Sequence, residues 1–193
     1  MNKLLFLLIT AILFSCGHKK YTNPHVLINT NMGEIEVELF IDKAPKTTAA
    51  FLSYVYAGLY KNGSFYRVLK NDDMAPEYNS GLIQGGIWKT NNSKVLQLPG
   101  IVHEPTSQTG LTHTNGTISL ARTTPGSASS EFFICIGDQT QFDKSTSVNS
   151  DGLGFAAFGK VFRGMDVVRK IQSQRSHGEA FDEQVTILNI ERL

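Results

Sequence analysis

The chain has 193 residues, enough for one domain with a real core, and its 18 basic and 17 acidic residues leave a formal charge of +1. No basic stripe runs through it, which excludes electrostatic capture of nucleic acid as its activity. Its 17 glycines, 12 phenylalanines and single tryptophan fit many short strands joined by glycine turns.

The first stretch stands apart from the fold. Lys3 gives a short positive start, and residues 4–14 are almost wholly apolar. That is shorter than the ~20 residues of a membrane-spanning helix and suits the apolar region of a secretory leader. Leu13-Phe14-Ser15-Cys16 then resembles a bacterial lipobox. The resemblance implies cleavage before Cys16 and lipidation of that residue, with 1–15 as leader and 16–25 as a polar tether. An ordinary secretory leader with an incidental cysteine is the alternative. Loss of Lys3 with the leader leaves basic and acidic residues equal in number. Lipid anchorage implies a cell-envelope protein facing the periplasm or the exterior. Gly17 stands where some inner-membrane lipoproteins carry a retaining Asp, which favours the outer membrane. With Cys16 as the anchor, Cys135 has no disulfide partner. Its apolar neighbours, Ile134 and Ile136, make it a buried structural thiol.

Residues 26–30 and 34–40 read as a hairpin around Asn31-Met32-Gly33. Ile35, Val37 and Leu39 alternate with Glu34, Glu36 and Glu38, giving one buried and one wet face. Pro45 opens a helix whose apolar face includes Phe51, Leu52, Tyr54 and Val55, and Gly58 can end it. Residues 65–69 form a strand, 70–80 a polar loop, and 82–86 a strand ending in glycines. Residues 87–115, with Pro99, Gly100, Pro105 and Gly110, read as a long irregular excursion with short extended pieces. Two apolar runs, 118–121 and 132–136, flank a bend rich in Thr, Pro, Gly and Ser. After a polar loop at 137–154, residues 155–161 make a further strand. Met165, Val168 and Ile171 are spaced as one helix face requires. Residues 173–184 are polar, and 185–192 close the chain as a strand. With no repeat and no second domain boundary, residues 26–193 form one unit. About eight strands and two helices give a mostly β fold, a closed eight-stranded antiparallel barrel capped by two α-helices.

Side-chain chemistry narrows the function. The five histidines show no short ligand spacing, so no metal site is expected. No G-x-S-x-G occurs, and Gly85-Gly86 lacks the lysine of a phosphate loop. What remains is two donors among apolar residues, Arg67 after Phe65-Tyr66 and Gln84 before two glycines, together with the apolar Phe133 after the Ser-rich bend. The small residues of that bend let another backbone approach closely, which suggests a groove for an extended peptide. A solvated hairpin with an aromatic core strand is the plainer alternative.

FYRV at 65–68, QGG at 84–86, ISLAR at 118–122, SSEFFI at 129–134 and FAAFGKV at 155–161 occur in the order and context of one family. Through these blocks the chain, from Val26 to Leu193, resembles the cyclophilin-type peptidyl-prolyl cis-trans isomerases. The resemblance implies an eight-stranded barrel capped by two helices, no cofactor, proline-containing polypeptides as partners and a monomer. It assigns Arg67 to the prolyl nitrogen and Gln84 to orienting Arg67 and the peptide. By the same resemblance Phe65, Leu82, Phe133, Phe142 and Phe155 belong to the substrate-binding set, with Leu82 standing for a Met and Phe155 for a His. Ala121 and Arg122 match the strand edge that pairs with substrate, and Glu131 replaces the usual Gln. Arg67 and Gln84 lie much farther apart in sequence than in the family, and Gly81 stands where a pocket Phe is usual. Residues 70–80 therefore hold an insertion. Either Met74 or Tyr78 folds back as the missing wall, or the pocket is shallower. A non-catalytic proline-peptide-binding module on the same fold is the alternative reading.

Overall fold

The computed structural model describes residues 21–144 and 151–193. The leader, Cys16 and the start of the tether lie outside these residues. Nine strands form one antiparallel sheet: β1 (His25–Thr30), β2 (Gly33–Leu39), β3 (Gly63–Leu69), β4 (Gly81–Gly86), β5 (Thr117–Leu120), β6 (Phe132–Ile136), β7 (Ala156–Arg163), β8 (Ser176–His177) and β9 (Ala180–Arg192). Their spatial order is β1-β2-β7-β5-β6-β4-β3-β9-β8, and β9 also pairs with β1. Eight strands therefore close a barrel, which leaves no free sheet edge among them. The two-residue β8 sits outside as a flap on β9.

The alternation in the sequence is the alternation of the wall, except that Glu36, expected on the wet face, is buried and bonds His25 and Arg163. Ile35, Val37 and Leu39 are fully buried on β2, and Phe132, Ile134 and Ile136 of β6 point into the barrel. The interior is aromatic at its centre. Phe51 from helix α1 (Pro45–Tyr56) lies 5.0 Å from Phe158 and 5.8 Å from Phe132, ring centre to ring centre. Such tilted and edge-on contacts bury large area without opposing like ring faces.

Helix α1 has Pro45 in its first turn but no side-chain cap of its own at Ala44. The cap comes from far along the chain. Glu104, almost wholly buried, accepts from Thr47 N at 2.7 Å, from Thr47 Oγ1 at 2.7 Å and from Lys46 N at 3.3 Å. A carboxylate at a helix start satisfies orphan N–H groups and meets the positive end of the dipole. This contact pins the excursion at 87–115 to the barrel. That excursion is not merely extended: it contains two single-turn helices, α2 (Asn92–Val95) and α3 (Thr106–Thr109). The last helix, α4 (Met165–Gln172), buries Val168 and Ile171 and packs on β2, β4 and β6, while α1 packs on β7 and β9. The polar stretch at 173–184 also contains structure, because β8 lies within it and β9 already starts at Ala180.

β1 begins at His25, so the end of the tether is part of the fold. Tyr21 stacks on His25 with ring centres 3.7 Å apart, and both meet Phe162 edge-on.

Candidate active site

Four neighbouring strands place the site on the outer face of the barrel. Arg67 on β3 is opposite Gln84 on β4, Gln84 is opposite Phe133 on β6, and Phe133 is opposite Ser119 on β5. These residues thus form one row across the sheet. The adjacent row runs Leu69, Leu82, Cys135. Residues far apart in sequence meet because side chains two apart on a strand share a face.

A bulge controls which face they share. The pairing of β3 shifts between Phe65 and Arg67, so Tyr66 is the extra residue on its strand. Without the bulge, Phe65 and Arg67 would point the same way. With it, Tyr66 and Arg67 both face outward, while Phe65 turns into the barrel and meets Phe132 at 5.8 Å. Phe65 is therefore a core residue and not part of the cleft, contrary to its assignment to the substrate-binding set.

The cleft over these rows has a volume of about 950 Å³. One end is apolar. Leu82, Phe133, Cys135 and Phe142 form a small cluster, with Leu69, Ala121 and Phe155 packed against it. Phe133, Phe142 and Phe155 meet edge to face at 5.2–5.5 Å. Burial pushes the Cys135 thiol pKa far up, which leaves it a packing group. Behind Phe133 lies His113, fully buried and stacked on the phenyl at 5.9 Å. Its Nδ1 is 2.6 Å from Asp143 Oδ1 and its Nε2 is 3.0 Å from Ser119 Oγ. An imidazole that donates to the carboxylate and accepts from the hydroxyl satisfies both contacts in its neutral form. Burial lowers its pKa despite the nearby Asp143.

The other end is polar. Arg67 Nη1 donates to Gln84 Oε1 at 2.7 Å, and Nε donates to Glu179 Oε2 at 2.8 Å. Gln84 Nε2 lies 3.0 Å from the Tyr66 hydroxyl, which lies 2.8 Å from Glu131 Oε2. The other oxygen of Glu131 accepts from the backbone of Ile87 and Trp88 and from Ser130 Oγ, at 2.9–3.0 Å. Burial raises the Glu131 pKa above the ordinary carboxylate value, against the pull of these donors. Burial together with Glu131 raises the Tyr66 pKa strongly.

The edge residues are tied down differently from the expectation. Ala121 lines the cleft and its N–H donates to Glu131 O at 2.9 Å. The Arg122 side chain is almost fully buried, so its guanidinium is not offered to a ligand. It grips Asp151 with two bonds of 2.6 and 2.9 Å, donates to Gly154 O, and lies 5.6 Å from the Phe155 ring centre.

The insertion leaves the pairing untouched. Leu69 still faces Leu82, so the extra residues leave the barrel as a hairpin loop. The Asn79 side chain accepts from Asn71 N at 2.9 Å and donates to Asn71 O at 2.7 Å, which closes the neck of the loop. Arg169 and Gln172 of α4 donate to carbonyls of Pro76, Asn79, Leu69 and Ser80. The loop is thus drawn towards α4. Neither Met74 nor Tyr78 lines the cleft, and both are exposed. Leu69 lines it instead. Gly81 has φ +134°, and a Cβ there would lie 2.1 Å from Leu69 O. No phenyl can stand at that position on this backbone. The wall comes from Leu69, opposite Leu82 on the neighbouring strand.

Among the described residues no group of histidine, cysteine and carboxylate side chains could hold a metal ion. A profile of the family described as cyclophilin type peptidyl-prolyl cis-trans isomerase matches residues 25–192. The chain belongs to this family, and it is a peptidyl-prolyl cis-trans isomerase. A peptidyl-prolyl cis-trans isomerase of Acinetobacter baylyi is 39% identical over 150 residues, covering 77% of this chain and 72% of that protein. Peptidyl-prolyl cis-trans isomerase B of Escherichia coli is 36% identical over 148 residues, covering 76% and 83%. The crystal structure of a cyclophilin-type isomerase from Cryptosporidium parvum shares the fold, with a TM-score of 0.68 at 22% identity over 88% of this chain and 97% of that one. A second structure of that protein, obtained in the presence of the dipeptide Ala-Pro, gives a TM-score of 0.66.

Four residues in or behind the cleft carry no clear signal in the sequence. Tyr66 stands inside the FYRV block, but only the bulge turns it outward. Leu69 shares the outward alternation of Arg67, a signal the insertion obscured. His113 and Glu179 lie in stretches without a readable pattern, and only the folded chain brings Glu179 to the cleft and His113 behind Phe133.

Proposed function

We propose that this cyclophilin isomerises Xaa-Pro bonds of extracytoplasmic polypeptides while anchored to the outer membrane through a lipid on Cys16, as a monomer. The observation that carries the catalytic reading is the Arg67–Gln84 hydrogen bond beside the apolar pocket of Phe133. The rotation barrier of an amide, roughly 18–20 kcal/mol, comes from conjugation of the nitrogen lone pair. Twisting the bond localises that pair on the prolyl nitrogen. A site that holds the proline ring apolarly and directs a guanidinium at the nitrogen binds the twisted form better than either planar one, which is catalysis. Phe133, Leu82, Phe142, Phe155 and Leu69 supply the apolar seat, and Arg67 supplies the donor. The strand end at Ala121 and Arg122 offers backbone for an extended chain. No nucleophile, metal or cofactor enters the reaction.

Exchange NMR on an Xaa-Pro peptide tests the reading. The protein accelerates exchange, and Arg67→Ala lowers kcat/KM by about a hundredfold or more, as loss of a transition-state donor does. Equal exchange with wild type and Arg67→Ala overturns the role of Arg67. Membrane fractionation of cells carrying the wild type and Cys16→Ser tests the anchor, which requires release of the variant.

A further inference from the structure

The polar end of the cleft contains a chain of hydrogen bonds whose direction is fixed. A guanidinium only donates, so the Gln84 atom facing Arg67 Nη1 is its carbonyl oxygen. The Gln84 amide nitrogen therefore faces Tyr66 and donates to its oxygen. The Tyr66 hydroxyl proton is then free to be given only to its other neighbour, Glu131 Oε2. That oxygen has to be a bare acceptor. Glu131 Oε1 already accepts from Ile87 N, Trp88 N and Ser130 Oγ, so a proton on the carboxyl falls on Oε2. There it meets a phenol oxygen already engaged by Gln84, and the Tyr66 proton loses its acceptor.

We infer that Glu131 is a positioning residue: its ionised carboxylate, through Tyr66 and Gln84, holds the Arg67 guanidinium in its working orientation. Oε1 bonds three groups of the protein and Oε2 bonds Tyr66, so its link to Arg67 runs through Tyr66 and Gln84. The inference rests on the reading of Arg67 as the donor to the prolyl nitrogen. The seat for the carboxylate is built into the backbone. Gly86, at φ +150°, lies flat against it, and a Cβ there would come within 2.4–2.6 Å of both oxygens and the carboxyl carbon. The second glycine of the QGG block thus makes room for Glu131. The titratable groups turned towards it are Tyr66 from β3 and Tyr60 from the turn after α1, both with pKa values raised by burial and by this carboxylate. The charged group nearest along the chain of bonds is Arg67, whose far edge is held by Glu179.

A glutamine at 131 keeps its oxygen on the two backbone N–H groups and turns its NH₂ to Tyr66, which breaks the chain as protonation does. The test compares wild type, Glu131→Gln and Tyr66→Phe by exchange NMR from about pH 8 down to about pH 5, a range that covers a raised carboxylate. The wild-type kcat falls as pH drops through the Glu131 titration, with KM little changed. Both variants show kcat about tenfold lower at the upper pH and a profile without that step. A second readout does not depend on turnover. The Gln84 side-chain amide signals shift with the Glu131 titration in wild type and not in Tyr66→Phe. Wild-type kcat and pH profile in Glu131→Gln overturn the inference, as does a Gln84 signal blind to the titration. A wild type that accelerates no exchange at any pH overturns the isomerase reading, and the Gln84 signal then still decides whether the chain of bonds exists.

Discussion

The two ends of the cleft are made of the same sheet face but by different means. The apolar end follows from strand alternation alone: Leu69, Leu82, Phe133 and Cys135 are outward positions of paired strands. The polar end exists because alternation fails once, at Tyr66, so that two consecutive side chains face outward. One end is therefore packed and forgiving of loop length, as the untouched register beside the insertion shows. The other is a directional network in which each group has one role and few substitutes. Breaking the apolar end should cost stability and binding together, whereas breaking the polar end should cost turnover while the fold stays intact.

Phe133→Ala gives the largest expected effect on the fold. The ring is 2% exposed and touches His113, Phe142 and Phe155. Its removal leaves a cavity and costs about 3–5 kcal/mol. The measurement is the urea midpoint at constant m, with KM for an Xaa-Pro peptide alongside. KM rises with the loss of the proline seat. Arg67→Ala is the counterpart: its side chain is 37% exposed, and its midpoint stays within about 0.5 kcal/mol of wild type. A stable Phe133→Ala with normal KM would erase the distinction between the two ends.

Acid sharpens the same contrast, because the two ends respond to it with opposite signs. His113 has a folded pKa below its usual value of 6.5. Its contribution to stability is present above the unfolded value and is lost as pH falls through the folded one. Glu131 has a raised folded pKa, so its contribution is present below the unfolded carboxylate value and is lost as pH rises through the folded one. Acid thus loosens the packed end and relaxes the cost of the buried carboxylate, even as it disconnects Arg67. Urea midpoints at about pH 7.5 and about pH 5 measure the balance. His113→Gln reduces the loss between the two, and Glu131→Gln enlarges it. Identical slopes in wild type and His113→Gln would show that His113 titrates no differently in the folded and unfolded states.

These contrasts also explain what was legible in the chain. The barrel could be read because Ile35, Val37 and Leu39, or Phe132, Ile134 and Ile136, carry a period of two and glycines mark the turns. Arg67, Gln84 and Phe133 could be read because they sit in short blocks with a family resemblance, and the register sets all three in one row. Phe65 is not legible as a core residue because a bulge leaves no mark in the local pattern: Phe65 and Arg67 are two apart, and only the pairing with β4 and β9 shows the shift. Met74 and Tyr78 are the wall residues the sequence offers because the insertion carries them. The structure draws that loop to α4 through Arg169 and Gln172, contacts that span ninety residues or more. Glu104 capping α1 spans 57 residues and His113 backing Phe133 spans 20, and neither pairing leaves a periodic mark in the local sequence.

Glu179→Ala should have the smallest effect, and it asks whether Arg67 is held from one side or two. Glu179 lies beside Ala180 at the start of β9 and engages the Nε and Nη2 edge of Arg67 at 2.7–2.8 Å, opposite the edge that meets Gln84. The geometry is good, but the side chains are 59% and 37% exposed. Water and salt screen such a pair, and exposed ion pairs contribute about 0–1 kcal/mol. The buried route from Glu131 through Tyr66 and Gln84 is screened far less. Glu179→Ala therefore changes kcat/KM by less than about fivefold, and the change shrinks further in about 0.5 M salt. The comparison to make is with Tyr66→Phe under the same conditions. If removal of Glu179 lowers kcat as much as removal of the Tyr66 hydroxyl, and salt does not matter, the exposed carboxylate is an equal partner in fixing Arg67. The orientation of the guanidinium would then be set across the mouth of the cleft as well as from within the protein.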